Sequence, residues 1–341
     1  MTTLTRIKLC HLTPLHLGTG RESHDVSASI LESDTLTAAL ASLRAQHGRT
    51  ESLDAFLRSF ALSSAFPYDG DEYFLPRMSG RLPIAVRGLQ EEQYRKRLKK
   101  LQFVSSTLWQ RLVHGERLEV EDGQLQGEFL LAQANTQFER PMRHAVMQRV
   151  AVPYSGTGDA EPFLFDWTFF CHGERETGLY CLLQTDSTDV RDEVVRLFRE
   201  LGETGIGADK SVGGGQFGVE TADVEIDEPV ATGRQLLLST YIPTDNELSL
   251  LSLPESSYQL IKRSGLMAGS QHEALRNKRR NNVCMFDTGS VLVTRQPAAQ
   301  LQGAVVDLRP DSDDERMHPV WRSGRPLTIN INQTQHEQHP S

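Results

Sequence analysis

The stretch LGETGIGADKSVGGGQFGVE, Leu201–Glu220, carries seven glycines and constrains the fold more than any other segment. So dense a run means a backbone that turns hard or one that approaches a ligand closely, because glycine reaches positive φ freely and leaves no side chain in the way. Gly213-Gly214-Gly215-Gln216-Phe217-Gly218 satisfies GxGxxG by its letters. A dinucleotide fold needs that motif after a strand and at the start of a helix, so that the helix N-terminus faces the pyrophosphate. Here the order is reversed. STDVRDEVVRLFRELG, residues 187–202, predicts an amphipathic helix with Val190, Val194, Leu197, Phe198 and Leu201 on one face, and the strand QFGVETADVEI comes afterwards. That helix would turn the negative end of its dipole towards a phosphate. A P-loop fails at Asp209, which precedes Lys210-Ser211 where glycine is required. A protein-kinase loop fails at Glu220, which stands where valine belongs. What survives is a helix, a glycine-rich loop with one lysine, and a strand. Successive N–H groups in such a loop can form an anion-binding nest; equally, the loop can be a tight turn without a ligand.

Around that run, strands and helices interleave. TRIKLCHLTPLHLG, residues 5–18, alternates polar and apolar residues and predicts a first strand. SDTLTAALASLRAQHG predicts a helix capped by Ser33 or Asp34, with Leu36, Ala39, Leu40 and Leu43 on one face and Gly48 at its end. A second helix follows in SLDAFLRSFALSSA, and AFPYDGDEYFLPRM reads as a hairpin turning at Asp69-Gly70. QEEQYRKRLKKLQFVSSTLWQRLVHG reads as one long basic helical stretch, residues 120–160 as polar and irregular, and PFLFDWTFFCHG with TGLYCLLQTDS as an apolar hairpin. DEPVATGR, residues 227–234, is a linker or crossover before a second set of strands. Few helices and several hairpins favour α+β with antiparallel sheets over a doubly wound parallel sheet. The expected division is 1–228, 229–331 and a disordered polar tail, 332–341.

Composition narrows the partners. The net charge of −9 turns the surface as a whole away from nucleic acid, so such a site would have to be a local basic patch. Cys10, Cys171, Cys181 and Cys284 are scattered without a CxxC pair, which indicates neither a zinc knuckle nor a disulfide framework. No long apolar run opens the chain and none approaches the roughly 18 residues of a membrane span, so a soluble cytoplasmic protein is expected. Acid pairs such as Asp69/Asp71 and Asp311/Asp313/Asp314 read as solvated turns rather than metal ligands, and no cofactor is implied.

The helix, GIGADKSVGGGQFG and the following strand, in that order, resemble the signature loop of the RAMP superfamily of CRISPR proteins. LTPLHLGTG, residues 12–20, resembles that superfamily's first strand running into a glycine turn, and LESDTLTAAL its first-helix motif. FPYDGDEYFLPRM, DTGSVL and HPVWRSGRPLTIN resemble one family within it, the fourth Csm subunit of type III-A effector complexes. The matches run in order from about Leu12 to Asn330. One departure is SVGGGQFG, where a more compact small-residue loop is the norm. The resemblance implies two ferredoxin-like, RRM-like domains and a protein that is not an enzyme. It also implies that the chain holds the crRNA 5′ handle and docks to a large polymerase-like subunit and to a backbone RAMP subunit.

Under that resemblance, Lys210, Ser211, Gly213, Gly214, Gly215 and Gln216 would offer backbone donors and one cation to phosphates, and His16, Gly18 and Gly20 would form the opposite wall. RNA binding needs neutralised phosphates and stacking surfaces. A first basic patch, from Arg77 and Arg81 through Arg87 to Lys100, reads as a solvated helix face or a contact with a neighbouring subunit. Arg140, Arg143 and Arg149 lie in a segment with Phe138, Met142, Met147 and Tyr154, where the resemblance places a projecting thumb that wedges against bases; a partner-binding loop is the alternative. Arg276, Lys278, Arg279 and Arg280, with Lys262 and Arg263, would extend the track from the second domain. The rival reading is a metal-independent endoribonuclease that processes crRNA, with His16 reaching the RNA as a general acid or base.

Overall fold

The computed structural model describes residues 2–18, 27–28, 30–151, 161–173, 175–267, 275, 278–311, 314 and 316–332. The first half is built on strands β1 (Thr2–Cys10), β2 (Ala61–Leu62), β3 (Phe66–Asp69), β4 (Glu72–Pro76), β5 (Ile84–Val86), β6 (Phe103–Ser105), β7 (Leu118–Val120), β8 (Leu125–Gln126), β9 (Phe129–Leu130), β10 (Met142–Ala151), β11 (Glu161–Phe170), β12 (Thr177–Gln184) and β13 (Gly218–Ile226). Its helices are α1 (Ser33–Gln46), α2 (Leu53–Arg58), α3 (Glu91–Lys100), α4 (Ser106–Val113) and α5 (Thr188–Thr204). A nine-stranded sheet runs β13-β1-β12-β3-β4-β6-β9-β8, with β2 on β12. Its pairings are antiparallel except β6 with β9. Strand alternation sends Ile7, Leu9, Leu179, Cys181 and Leu183 to one face, where α1 and α5 cover them with Leu36, Leu40, Val194, Leu197, Phe198 and Leu201. Leu4, Tyr180 and Leu182 point to the other face and join Phe66, Phe74, Phe103 and Trp109.

Four expectations for this half are corrected. The basic stretch after Gln90 is not one helix: α3 stops at Lys100, and β6 intervenes before α4. Phe103 and Val104 are wholly buried, and β6 pairs with β4, so a place in the sheet outweighs the local helical preference. Residues 142–151 are not irregular: β10 pairs with β11 along its whole length, Met142↔Phe170 to Ala151↔Glu161. β12, buried at every residue but the last, is therefore not the partner of β11 and sits inside the main sheet. The N-cap of α1 is Glu32, and neither Ser33 nor Asp34 caps the helix. The Ser33 Oγ lies 2.9 Å from Thr240 Oγ1, and Asp34 is buried against arginines of the second half.

The second half contains β14 (Arg234–Leu237), α6 (Asp245–Leu250), β15 (Leu260–Arg263), β16 (Val283–Phe286), β17 (Val291–Val293), β18 (Val305–Asp307), β19 (Trp321–Ser323) and β20 (Thr328–Asn330). β14 lies between β17 and β20, and β15–β16 and β18–β19 form two-stranded antiparallel pairs. Leu236, Leu238, Leu327 and Ile329 pack into the same hydrophobic cluster as Leu4, Phe66 and Phe74. A polar seam reinforces that joint. Ser64 N–H donates to Leu238 O at 2.8 Å, while the hydroxyls of Ser64 and Thr288 both donate to Glu32. The expected tail, from Gln333 onwards, lies outside the described residues.

Candidate nucleic-acid interface

α5 begins under a Ser187 cap, whose Oγ accepts the Val190 N–H at 3.3 Å, and the glycine run follows its last turn. The run folds back onto the segment after β1. Ala208 N–H donates to His16 O at 3.0 Å, Gly215 N–H to Pro14 O at 3.0 Å, and Thr13 N–H to Gln216 O at 2.9 Å. Thr13 Oγ1 donates to Gly213 O and accepts from Gln216 N–H, both at 2.8 Å. Gly215 and Gly207 are among the glycines that this close packing requires. A Cβ on Gly215 (φ +69°) would lie 1.9 Å from Ile206 O, and one on Gly207 (φ +89°) 2.4 Å from His16 O.

These bonds alter the expected use of the loop. The Gly213 N–H donates to Lys210 O and the Gly214 N–H to Asp209 O, so Gly213, Gly214, Gly215 and Gln216 all spend their donors inside the protein. Gly214 and Gly215 are also buried, Gly214 beneath the Trp167 ring. The open groups stand one turn earlier. Lys210 and Ser211 are exposed, and their N–H groups have no partner among the described residues. The nest expected at Gly213–Gln216 is thus a closed turn that presents Lys210 and Ser211.

His16 does lie beside the loop, as expected, but its side chain does not reach the surface. The residue is 1% exposed, its ring centroid is 4.4 Å from that of Phe165, and Nδ1 is 2.7 Å from Asp166 O. Packing against the aromatic base of the hairpin is the reason, and it removes the surface imidazole that the nuclease reading needs. Gly18 is exposed and bridges to Ser27; Gly20 lies outside the described residues.

The β10–β11 hairpin has two unlike faces. One carries Phe165 and Trp167 towards His16 and the glycine loop, with the Arg149 guanidinium 5.2 Å from the Phe165 centroid and ion-paired to Asp209. The other exposes Val146, Val150 and Leu164, each by more than half. Arg140 and Arg143 are exposed. Phe138 and Met142 belong to the core rather than to an apolar tip, Met147 is exposed, and Tyr154 lies outside the described residues. Thr13, Asp209 and Trp167 were missed in the sequence. A tryptophan in a strand was the one available signal, because the partners of Thr13 and Asp209 are far along the chain.

In the second half, Lys278 and Arg279 are exposed and Arg276 lies outside the described residues. Arg280 turns inward. Its Nη2 donates to Ser264 O at 2.7 Å, and burial, then neighbouring Arg322, lowers its pKa to about 10. Arg263 Nη2 donates to Asp34 Oδ1 at 3.0 Å. Asp69, read as a solvated turn residue, is instead forked by Arg175. Among the described residues, no cluster of three or more His, Cys, Asp or Glu side chains could hold a metal ion, and no helix is long and apolar enough to cross a membrane.

Residues 231–331 match the family model of the CRISPR Csm4 C-terminal domain. A Mycobacterium tuberculosis protein described as CRISPR system Cms protein Csm4 is 27% identical over 315 residues, which cover 91% of this chain and 92% of that protein. The chain is Csm4-like along nearly its whole length. Solved structures carry the same fold. A chain of the Csm1–Csm4 cassette in complex with cA4 superposes with a TM-score of 0.60 at 20% identity, covering 97% of this chain and 99% of that one. A chain of the Csm3–Csm4 subcomplex in the type III-A CRISPR-Cas interference complex gives 0.60 at 15% identity, covering 96% and 99%. The mixed α+β architecture with antiparallel sheets is that of the RAMP proteins.

Proposed function

We propose that this chain is a non-catalytic, cytoplasmic subunit of a type III-A Csm effector complex, acting in defence against invading nucleic acid. It holds the crRNA 5′ handle and joins the large polymerase-like subunit to the backbone RAMP subunits. The observation that carries the assignment is the likeness to a Csm4 relative along 91% of the chain. The solved Csm1–Csm4 and Csm3–Csm4 assemblies of structural neighbours support the two protein contacts.

The RNA contacts we assign follow from what the fold leaves exposed. Lys210 and Ser211 offer a cation and open donors, the exposed Gly18 would form the opposite wall, and the exposed Arg140 and Arg143 would meet the RNA at the hairpin. Lys278 and Arg279, with Arg276 beside them in sequence, extend the track. Gly213–Gln216 hold the turn in place, and Arg149 orients it through Asp209. We keep the division 1–228 and 229–331 as two functional units.

The test uses the assembled complex. Lys210→Ala should weaken binding of the handle at every sequence and lower the slope of log affinity against log salt by about 1. Absence of crosslinks from the handle to Lys210 or Arg279 would reduce the chain to a protein scaffold. Discrete cleavage of repeat RNA by the purified chain in EDTA would favour the nuclease.

A further inference from the structure

A polar cleft of about 320 Å³ lies between the end of β4 and the segment leading into β15. Arg77, Ser79, Ser257, Tyr258 and Gln259 line it. It is distinct from the glycine turn. Cys10 pairs with Gly218 at the glycine end of the sheet, and β12 and β3 carry that end to the Asp69↔Glu72 pair. Pro76 lies four residues further down β4, roughly 13 Å away along the strand.

Arg77 is the anomaly of this cleft. In the same basic patch, Arg81 is tied to Glu91 and Arg97 to Asp122. Arg77 has no carboxylate partner among the described residues. Its Nη2 donates to Gly80 O at 3.0 Å, and its Nε is buried without a hydrogen bond. Burial alone lowers its pKa, as befits a charge without compensation. Around it, the hydroxyls of Ser79 and Ser257 and the amide of Gln259 have no partner among the described residues. Tyr258 completes the site. Its ring is held edge-on by Phe286, with centroids 5.1 Å apart, and the residue is 36% exposed. Leu260 and Lys262 continue on the exposed side of β15.

A half-buried guanidinium without a counter-ion calls for an anion, a fixed and open aromatic ring for a flat partner, and the hydroxyls and amide for a polar edge. One nucleotide supplies all three. An acidic peptide supplies the anion alone and leaves the open Tyr258 ring without a flat partner. We propose that this cleft is a subsite for one nucleotide of single-stranded RNA, with its phosphate on Arg77 and its base on Tyr258. The proposal rests on the RNA-holding reading above and adds a contact remote from Lys210.

The test assembles the complex on crRNA carrying 4-thiouridine at successive handle positions. Irradiation should label a peptide containing Tyr258 from one position or two adjacent ones. Tyr258→Ala should cost about tenfold in RNA affinity and Tyr258→Phe little, because stacking survives in phenylalanine. Arg77→Gln should lower the salt slope by about 1, in addition to the effect of Lys210→Ala. RNA binding that depends on Lys210 but ignores Arg77→Gln and Tyr258→Ala, with no label at Tyr258, overturns the subsite and leaves the proposed function standing. Wild-type complex that fails to hold the handle overturns both. Loss of a protein subunit in Arg77→Gln, with RNA affinity unchanged, assigns the cleft to an acidic protein segment and overturns the nucleotide. The wild-type labelling does not depend on whether a variant folds.

Discussion

At the scale of single residues, Asp34 is the most consequential side chain outside the interface. Its carboxylate is fully buried, with Arg322 Nη1 at 2.8 Å from Oδ2 and Arg263 Nη2 at 3.0 Å from Oδ1. Removing it strands two cations, one of them almost wholly buried. Asp34→Ala should therefore cost about 3–5 kcal/mol in urea denaturation. Nearby Glu32 gives a pH signature. Burial, then the charge of Asp287, raises its pKa from an ordinary value of 4.5 to about 7, against bonds from Ser64 and Thr288 that lower it. A raised carboxyl favours the protonated fold: its stabilisation is complete below about pH 4.5 and is lost as pH rises through about 7. Urea midpoints should fall between about pH 5 and pH 7.5, and Glu32→Gln should flatten that fall. Neither role was legible in the sequence. An aspartate opening a helix reads as a cap by local rules, and Arg322 stands 288 residues away. His16 misled for the same reason, since the ring that covers it belongs to Phe165.

Among the elements, legibility follows how local the deciding contacts are. α5 was readable because its apolar spacing and its Ser187 cap lie within one segment. The break between α3 and α4 was not, because it is imposed by β4, whose residues precede β6 by almost thirty positions. The glycine run was half readable: its place between helix and strand excluded nucleotide-cofactor folds, but Thr13 and Pro14, which consume its donors, come from the other end of the chain. Its glycines should differ in tolerance. Gly215→Ala drives a Cβ into Ile206 O in a left-handed conformation and should cost more than about 2 kcal/mol by thermal unfolding, with loss of Lys210-dependent RNA binding. Gly218→Ala, whose nearest neighbour would be Cys10 O at 3.8 Å, should cost less than about 1 kcal/mol in the same measurement.

For the molecule as a whole, the two halves share one core. Leu236, Leu238, Leu327 and Ile329 are at most 1% exposed and pack with the main sheet, and Arg322 and Thr240 lock onto the start of α1. The full chain should unfold in a single cooperative transition by circular dichroism. A fragment of residues 229–331 should show none, because separation uncovers that apolar face. This sharing is not legible in the sequence, since composition shifts near DEPVATGR as it would at a true linker. The stitching of Thr13–His16 to Ala208–Gln216 has a kinetic corollary. The ordering entropy of the Lys210 turn is met during folding, so RNA arrives at a surface already in its bound shape. Capture should then be governed by the frequency of charged encounters, quickening as ionic strength drops, with no slow rearrangement after contact.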